Sequence, residues 1–123
     1  MPHAILEYSD NILDDADFVY MLSRLHDLLV ETGGCRIGEL KSRVYQLEHY
    51  LVGDGSERNS FAHLTIRVFE GRPPEMIKAM GEAALELLKE YYCRSLLEQS
   101  CDLTVEIHPI ARDCYFKVSS AGN

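Results

Sequence analysis

Pro2, directly behind the initiator methionine, is the residue whose position alone could give it a chemical role. If Met1 is trimmed, Pro2 presents a free secondary amine, and a secondary amine is a base. An α-amino group titrates at about 7.7 to 8.0 in peptides, and a proline nitrogen is more basic still, so it must be brought down to be mostly neutral at working pH. Burial and neighbouring Arg or Lys charges both disfavour the ammonium form, and a base tuned close to ambient pH moves protons efficiently. With Met1 retained the nitrogen is an amide and cannot act. The competing reading is that Pro2 merely starts an edge strand, where its missing donor does no harm.

The basic residues are the second group of interest. Lys41 and Arg43 stand two apart at the start of a strand-like segment and so project to one side. Arg72 lies in the turn Gly71-Arg72-Pro73-Pro74; arginine near a strand end can clamp a carboxylate in bidentate fashion, although a solvated turn arginine has the same signature. Arg67 falls on the side opposite Leu64 and Ile66 and can simply cover apolar surface with its stem. Tyr8, Tyr45, Tyr50 and Phe116 could line a pocket, but aromatics on sheet faces mostly pack.

Other chemistries find little support. Cys35, Cys93, Cys101 and Cys114 form no CxxC pair, so free thiols are expected. The five histidines, His3, His26, His49, His63 and His108, form no HExxH motif or Cys/His cluster, and no metal is expected. A net charge of −8 disfavours nucleic acid and anionic membranes as partners, because both are held by clustered Lys and Arg. No apolar run is long enough to span a bilayer and no leader pattern opens the chain, which makes the cytoplasm the expected location.

These residues need elements to position them. The length of 123 residues suits one domain, residues 1–123, with halves of roughly 2–56 and 57–118. Residues 2–8 read as a strand broken by Ser9-Asp10-Asn11. A helix follows from Ala16 to about Thr32, capped by Asp14 or Asp15 and ended by Gly33-Gly34; Phe18, Leu22, Leu25 and Leu29 form its stripe, widened by Val19, Met21 and Leu28. Residues 42–52 alternate as a strand, 53–60 form a polar loop, and Phe61 to Glu70 alternates most cleanly, with Ala62, Leu64, Ile66 and Val68 on one face. Pro74 opens a helix that runs to about Ser100. Leu103, Val105 and Ile107 mark another strand, stopped by Pro109, and Tyr115 to Val118 reads as a short closing strand before a frayed Ser-Ala-Gly-Asn tail.

The order is strand, helix, strand, repeated once, which gives two βαβ units whose crossover strands run parallel. The fold class is therefore α/β in its two-layer α+β form: a four-stranded sheet with two helices on one face and a short C-terminal strand. The other face, with Tyr45, His49, Phe61 and Phe69 or their opposite-parity neighbours, needs cover, and an oligomer would supply it.

Met1-Pro2-His3-Ala4-Ile5-Leu6-Glu7-Tyr8-Ser9-Asp10-Asn11-Ile12, together with Ser42-Arg43-Val44, Phe61-Ala62-His63-Leu64-Thr65, Gly71-Arg72, His108-Pro109 and Phe116-Lys117, resembles the 5-carboxymethyl-2-hydroxymuconate isomerases of the tautomerase superfamily. That superfamily includes 4-oxalocrotonate tautomerase and macrophage migration inhibitory factor. The resemblance implies a homotrimer and a cofactor-independent isomerase with Pro2 as general base. It implies a small anionic carboxylate substrate, 5-carboxymethyl-2-hydroxymuconate from homoprotocatechuate degradation, isomerised to its 2-oxo-3-ene form. It also implies substrate binding by Arg72, with Arg43 and Lys41 as the further basic candidates. Lys41 stands where the resemblance leads one to expect arginine, which keeps the charge but loses the planar fork. Another enol or 2-oxo acid substrate, or a non-catalytic oligomeric binding protein, are the alternative readings that the fold permits.

Overall fold

In the computed structural model, which describes residues 2–120, the chain runs β1 (His3–Ser9), α1 (Phe18–Gly33), β2 (Lys41–Leu47), β3 (Asn59–Phe69), α2 (Pro74–Tyr91), α3 (Cys93–Glu98) and β4 (Ser100–Ile110). The expectations about Met1 and about the tail at 121–123 lie outside the described residues. The sheet order is β2-β1-β3-β4. β1 pairs parallel with β2, β3 parallel with β4, and β1 antiparallel with β3. Each helical crossover thus joins parallel neighbours, as a right-twisted sheet favours.

The core lies between the helices and one sheet face. Alternation in β3 puts Ala62, Leu64, Ile66 and Val68 inside, against Leu6 of β1, Leu25 and Leu29 of α1, and Met80 and Leu88 of α2, all buried. Each such large aliphatic side chain contributes roughly 1.5–3 kcal/mol when removed from water. Among the described residues no helix is long and apolar enough to cross a membrane.

Several boundaries differ from the sequence expectation. α1 is capped by Asp17, whose carboxylate accepts from the Tyr20 N–H at 3.1 Å. Asp14 instead accepts from the Arg94 and Ser95 N–H groups at the start of α3, at 3.0 and 2.9 Å. Val19 is 81% exposed and does not join the buried stripe. β2 stops at Leu47, because its partner β1 ends at Ser9 and leaves Glu48 onward without a ladder; His49 therefore lies off the sheet. The long second helix breaks at Tyr92, whose φ of −112° and ψ of 29° leave the helical region while its ring is fully buried.

The last two differences concern the end of the chain. β4 continues through Pro109, which is tolerated because β4 is an edge strand paired only with β3. The expected closing strand at 115–118 is absent: after a 3-10 turn at Arg112–Cys114 the chain leaves the sheet. Tyr115 is held there by side-chain contacts to His3 and Phe69 rather than by a backbone ladder.

The helix-free face carries His3, Ile5 and Glu7 of β1 beside Lys41, Arg43 and Tyr45 of β2 and Thr65 and Arg67 of β3, as the registers require. Phe61 and Phe69 of β3 share that parity, so of the four expected positions Tyr45, Phe61 and Phe69 lie on this face and His49 does not.

Candidate active site

The topology gathers one set of loops at one end of the sheet. β1 and β2 are parallel, so both start there; β3 is antiparallel to β1, so it ends there. The same end receives the C-terminus of α1 and the turn from β3 into α2. Two glycines make those reversals possible, Gly34 with φ 64° and Gly71 with φ 112°, values that side-chain-bearing residues adopt at a cost.

A cavity of about 640 Å³ opens between these loops, and Pro2 lines it. Pro2 is buried, and its carbonyl accepts from the Lys41 N–H at 3.3 Å, which fixes the start of β1 against the start of β2. Four cationic side chains share the cavity with it, Arg36, Arg72, Arg112 and Lys117, against the single carboxylate of Glu39. A chain with net charge −8 therefore concentrates positive charge around Pro2. Lys117 lies 3.9 Å from Glu39, so part of that carboxylate's field is already neutralised.

Arg72 is woven into the backbone. Its Nε donates to the Gly33 carbonyl at 2.9 Å, its Nη1 to the Phe69 carbonyl at 3.1 Å, and its Nη2 to Cys35 Sγ at 3.6 Å. It ties the end of α1 to the end of β3 while lining the cavity. Burial pushes the Cys35 thiol up, with the Arg72 charge pulling the other way; desolvation wins, and the thiol stays protonated at neutral pH. Arg112 stands over the Phe69 ring, 4.5 Å from its centroid, a cation–π placement. Tyr115 meets the same ring edge-on at 5.3 Å.

Of the four residues singled out in the sequence, the structure brings together Pro2 and Arg72. Arg43 lines a second cavity of about 400 Å³ on the helix-free side, with His3 and Arg67. The two cavities share Tyr115. Lys41 touches Pro2 through its backbone, while its side chain is exposed and lines neither cavity. Arg36, Arg112 and Tyr115 were not singled out. Arg36 follows the Gly33-Gly34 helix stop, the one local signal that a loop returns to the strand starts; Arg112 and Tyr115 arrive by a chain reversal that periodicity does not record. Phe116, by contrast, is 88% exposed and does not line the cavity.

Known proteins share this fold. The family model for 5-carboxymethyl-2-hydroxymuconate isomerase matches residues 2–121. The 5-carboxymethyl-2-hydroxymuconate Delta-isomerase of Escherichia coli is 29% identical over 117 residues, covering 95% of this chain and 93% of that protein. The crystal structure of a 5-carboxymethyl-2-hydroxymuconate isomerase from Deinococcus radiodurans superposes with a TM-score of 0.87 at 27% identity, covering 97% of this chain and 90% of that one. A fused 4-OT, solved as a symmetric trimer, shares the fold at a TM-score of 0.75 and 13% identity, over 96% of this chain and 92% of that one. The tautomerase fold spans nearly the whole chain, and the family model matches residues 2–121: the chain belongs to the 5-carboxymethyl-2-hydroxymuconate isomerase family.

Proposed function

We propose that the chain, once Met1 is removed, isomerises 5-carboxymethyl-2-hydroxymuconate to its 2-oxo-3-ene form with the Pro2 nitrogen as the proton carrier. The observation that carries this reading is the burial of Pro2 in a cavity whose charged side chains are four cations against one carboxylate. Desolvation and positive neighbours both lower the pKa of an amine, so the nitrogen would stand neutral and ready to accept a proton. It would take the proton of the 2-hydroxyl, leaving a dienolate, and return one proton to the far carbon of the conjugated system. Protons balance, and no oxidant or second substrate enters.

The cations answer the charge on the other side of the reaction. Arg112, Arg36 and the outward N–H groups of Arg72 would bind substrate carboxylates and favour the dienolate, an anion formed in a partly desolvated site. Lys41 and Arg43, as basic residues beside the cavity, belong to this reading as contributors to the field that draws the anion in. The helix-free sheet face is open to an oligomeric partner, and the trimer described for the fused 4-OT favours three copies.

The test is an isomerase assay on protein whose amino terminus has been checked by mass spectrometry. Loss of one methionine should accompany activity, and Pro2→Ala should lower kcat by roughly 10²- to 10⁴-fold, the usual worth of a positioned base. Full turnover by protein that keeps Met1 would remove Pro2 from the mechanism.

A further inference from the structure

Tyr115 stands at the partition between the two cavities and is tied to both. Its hydroxyl lies 2.9 Å from His3 Nε2, and His3 Nδ1 lies 3.1 Å from Arg43 Nη1. Arginine has donors only, so Nδ1 must be the acceptor in that contact and carries no proton. A neutral imidazole then has its single proton on Nε2, and that N–H donates to the Tyr115 oxygen. The hydroxyl's own hydrogen is left to point elsewhere, and the ring packed against Phe69 lines the cavity that holds Pro2.

We propose that Tyr115 is a substrate-binding residue of the isomerase site: its hydroxyl, held as an acceptor toward His3 by the Arg43–His3 pair, donates a hydrogen bond to an anionic oxygen of the bound substrate. Arg43, placed outside the Pro2 cavity, thereby acts on it through two intermediates and is a positioning residue. The proposal rests on the reading of this cavity as the isomerase site. It adds to that reading a neutral donor, contributed by a segment whose sequence reads as a closing strand.

The charge environment keeps His3 in the required form. Arg43 and Lys41 face it from β2, Arg67 stands opposite it in the β3 register with His108 of β4 beyond, and the phenol of Tyr115 closes the remaining side. None of these is a carboxylate. Burial first, then the charges of Arg43 and Lys41, hold the His3 imidazole below its ordinary value. Protonation of Nδ1 would set two donors against each other and break the Arg43–His3 contact that orients the ring carrying Tyr115's partner.

Kinetics on the processed protein with 5-carboxymethyl-2-hydroxymuconate tests this. Tyr115→Phe keeps the ring on Phe69 and removes only the hydroxyl; kcat/KM should fall roughly ten- to hundredfold, the worth of a hydrogen bond to a charged group. A fall seen mainly in KM identifies a substrate carboxylate as the acceptor, and one seen mainly in kcat identifies the dienolate oxygen. His3→Leu should match Tyr115→Phe, and the pair combined should do no further harm. His3→Gln, whose amide can accept from Arg43 and donate to Tyr115 but cannot gain a proton, should retain activity and lose the His3 contribution to the acid limb of the pH profile. Tyr115→Phe turning over like the parent while Pro2→Ala is inactive would overturn the proposal and leave the isomerase reading standing. Both variants turning over like the parent would remove the reading and the proposal together.

Discussion

Arg72 and Arg112 reach the same cavity by different means, and the difference predicts different phenotypes. Arg72 donates to two main-chain carbonyls and a thiol, so removing it leaves acceptors without partners. Arg72→Met should cost about 1–3 kcal/mol of stability, the usual penalty for an orphaned partly buried group, visible as a lower urea midpoint. Arg112 rests on the Phe69 face from an exposed position. Arg112→Met should cost under about 1 kcal/mol, as exposed cation–π contacts do, yet raise KM for an anionic substrate. A stability loss of equal size in both would contradict the distinction. Arg72 was singled out by the family resemblance at Gly71-Arg72 together with its place in a turn, but nothing local distinguishes a guanidinium that grips carbonyls from one that waits for a ligand. Arg43 is the reverse case: parity placed it on the same side as Lys41, as observed, while its connection to the cavity depends on His3 and Tyr115.

Elements carry a different set of constraints. α1 and α2 lie side by side on the sheet, and Gly33 is what lets the end of α1 pass Met80: an added Cβ would meet Met80 Sδ at 2.7 Å and Cε at 2.8 Å. Gly33→Ala should therefore destabilise by roughly 1–3 kcal/mol, as overpacking of a close contact does, and Met80→Ala in the same chain should recover less than that because it opens a cavity of its own. Thermal melts of the three variants decide it. Asp14→Ala should cost about 1 kcal/mol by uncapping α3, although nothing in the sequence separates that helix from α2. Strong alternation made β3 legible, and the Gly33-Gly34 pair fixed the end of α1. The break at Tyr92 was hidden because the helical stripe continues through it, and the end of β2 because strand length is set by the partner: Ser9 is the last residue of β1 and Leu47 its last mate.

On the scale of the molecule, titration links stability to pH. Desolvation lowers the pKa of both His3 and His26 below the usual 6.5. An unfolded chain then binds these protons more readily than the folded one, so stability is full above about pH 6.5 and declines as pH falls below it toward the depressed folded values. Urea midpoints measured at pH 7.5, 6.5 and 5.5 should decrease in that order, and a His3→Gln, His26→Gln double variant should flatten the trend. The doubled βαβ plan was legible from the order of the elements alone, since crossover handedness and parallel pairing leave few alternatives. Which strands would be central was not, because the antiparallel β1–β3 contact that joins the halves leaves no mark in either.

That doubling has an uneven outcome for the chemistry. The backbone bond from Lys41 N–H to the Pro2 carbonyl recurs in the second half as the bond from Ser100 N–H to the Arg58 carbonyl, at 2.9 Å. Arg58 thus stands at the far end of the sheet where Pro2 stands at the near end. Its nitrogen is locked in a peptide link to Glu57, so the duplicate corner is chemically silent. Opening the chain between Glu57 and Arg58 while splicing the old ends would put an amine at the opposite pole, and would show whether the proposed chemistry of the first corner comes from its surroundings or only from a terminus.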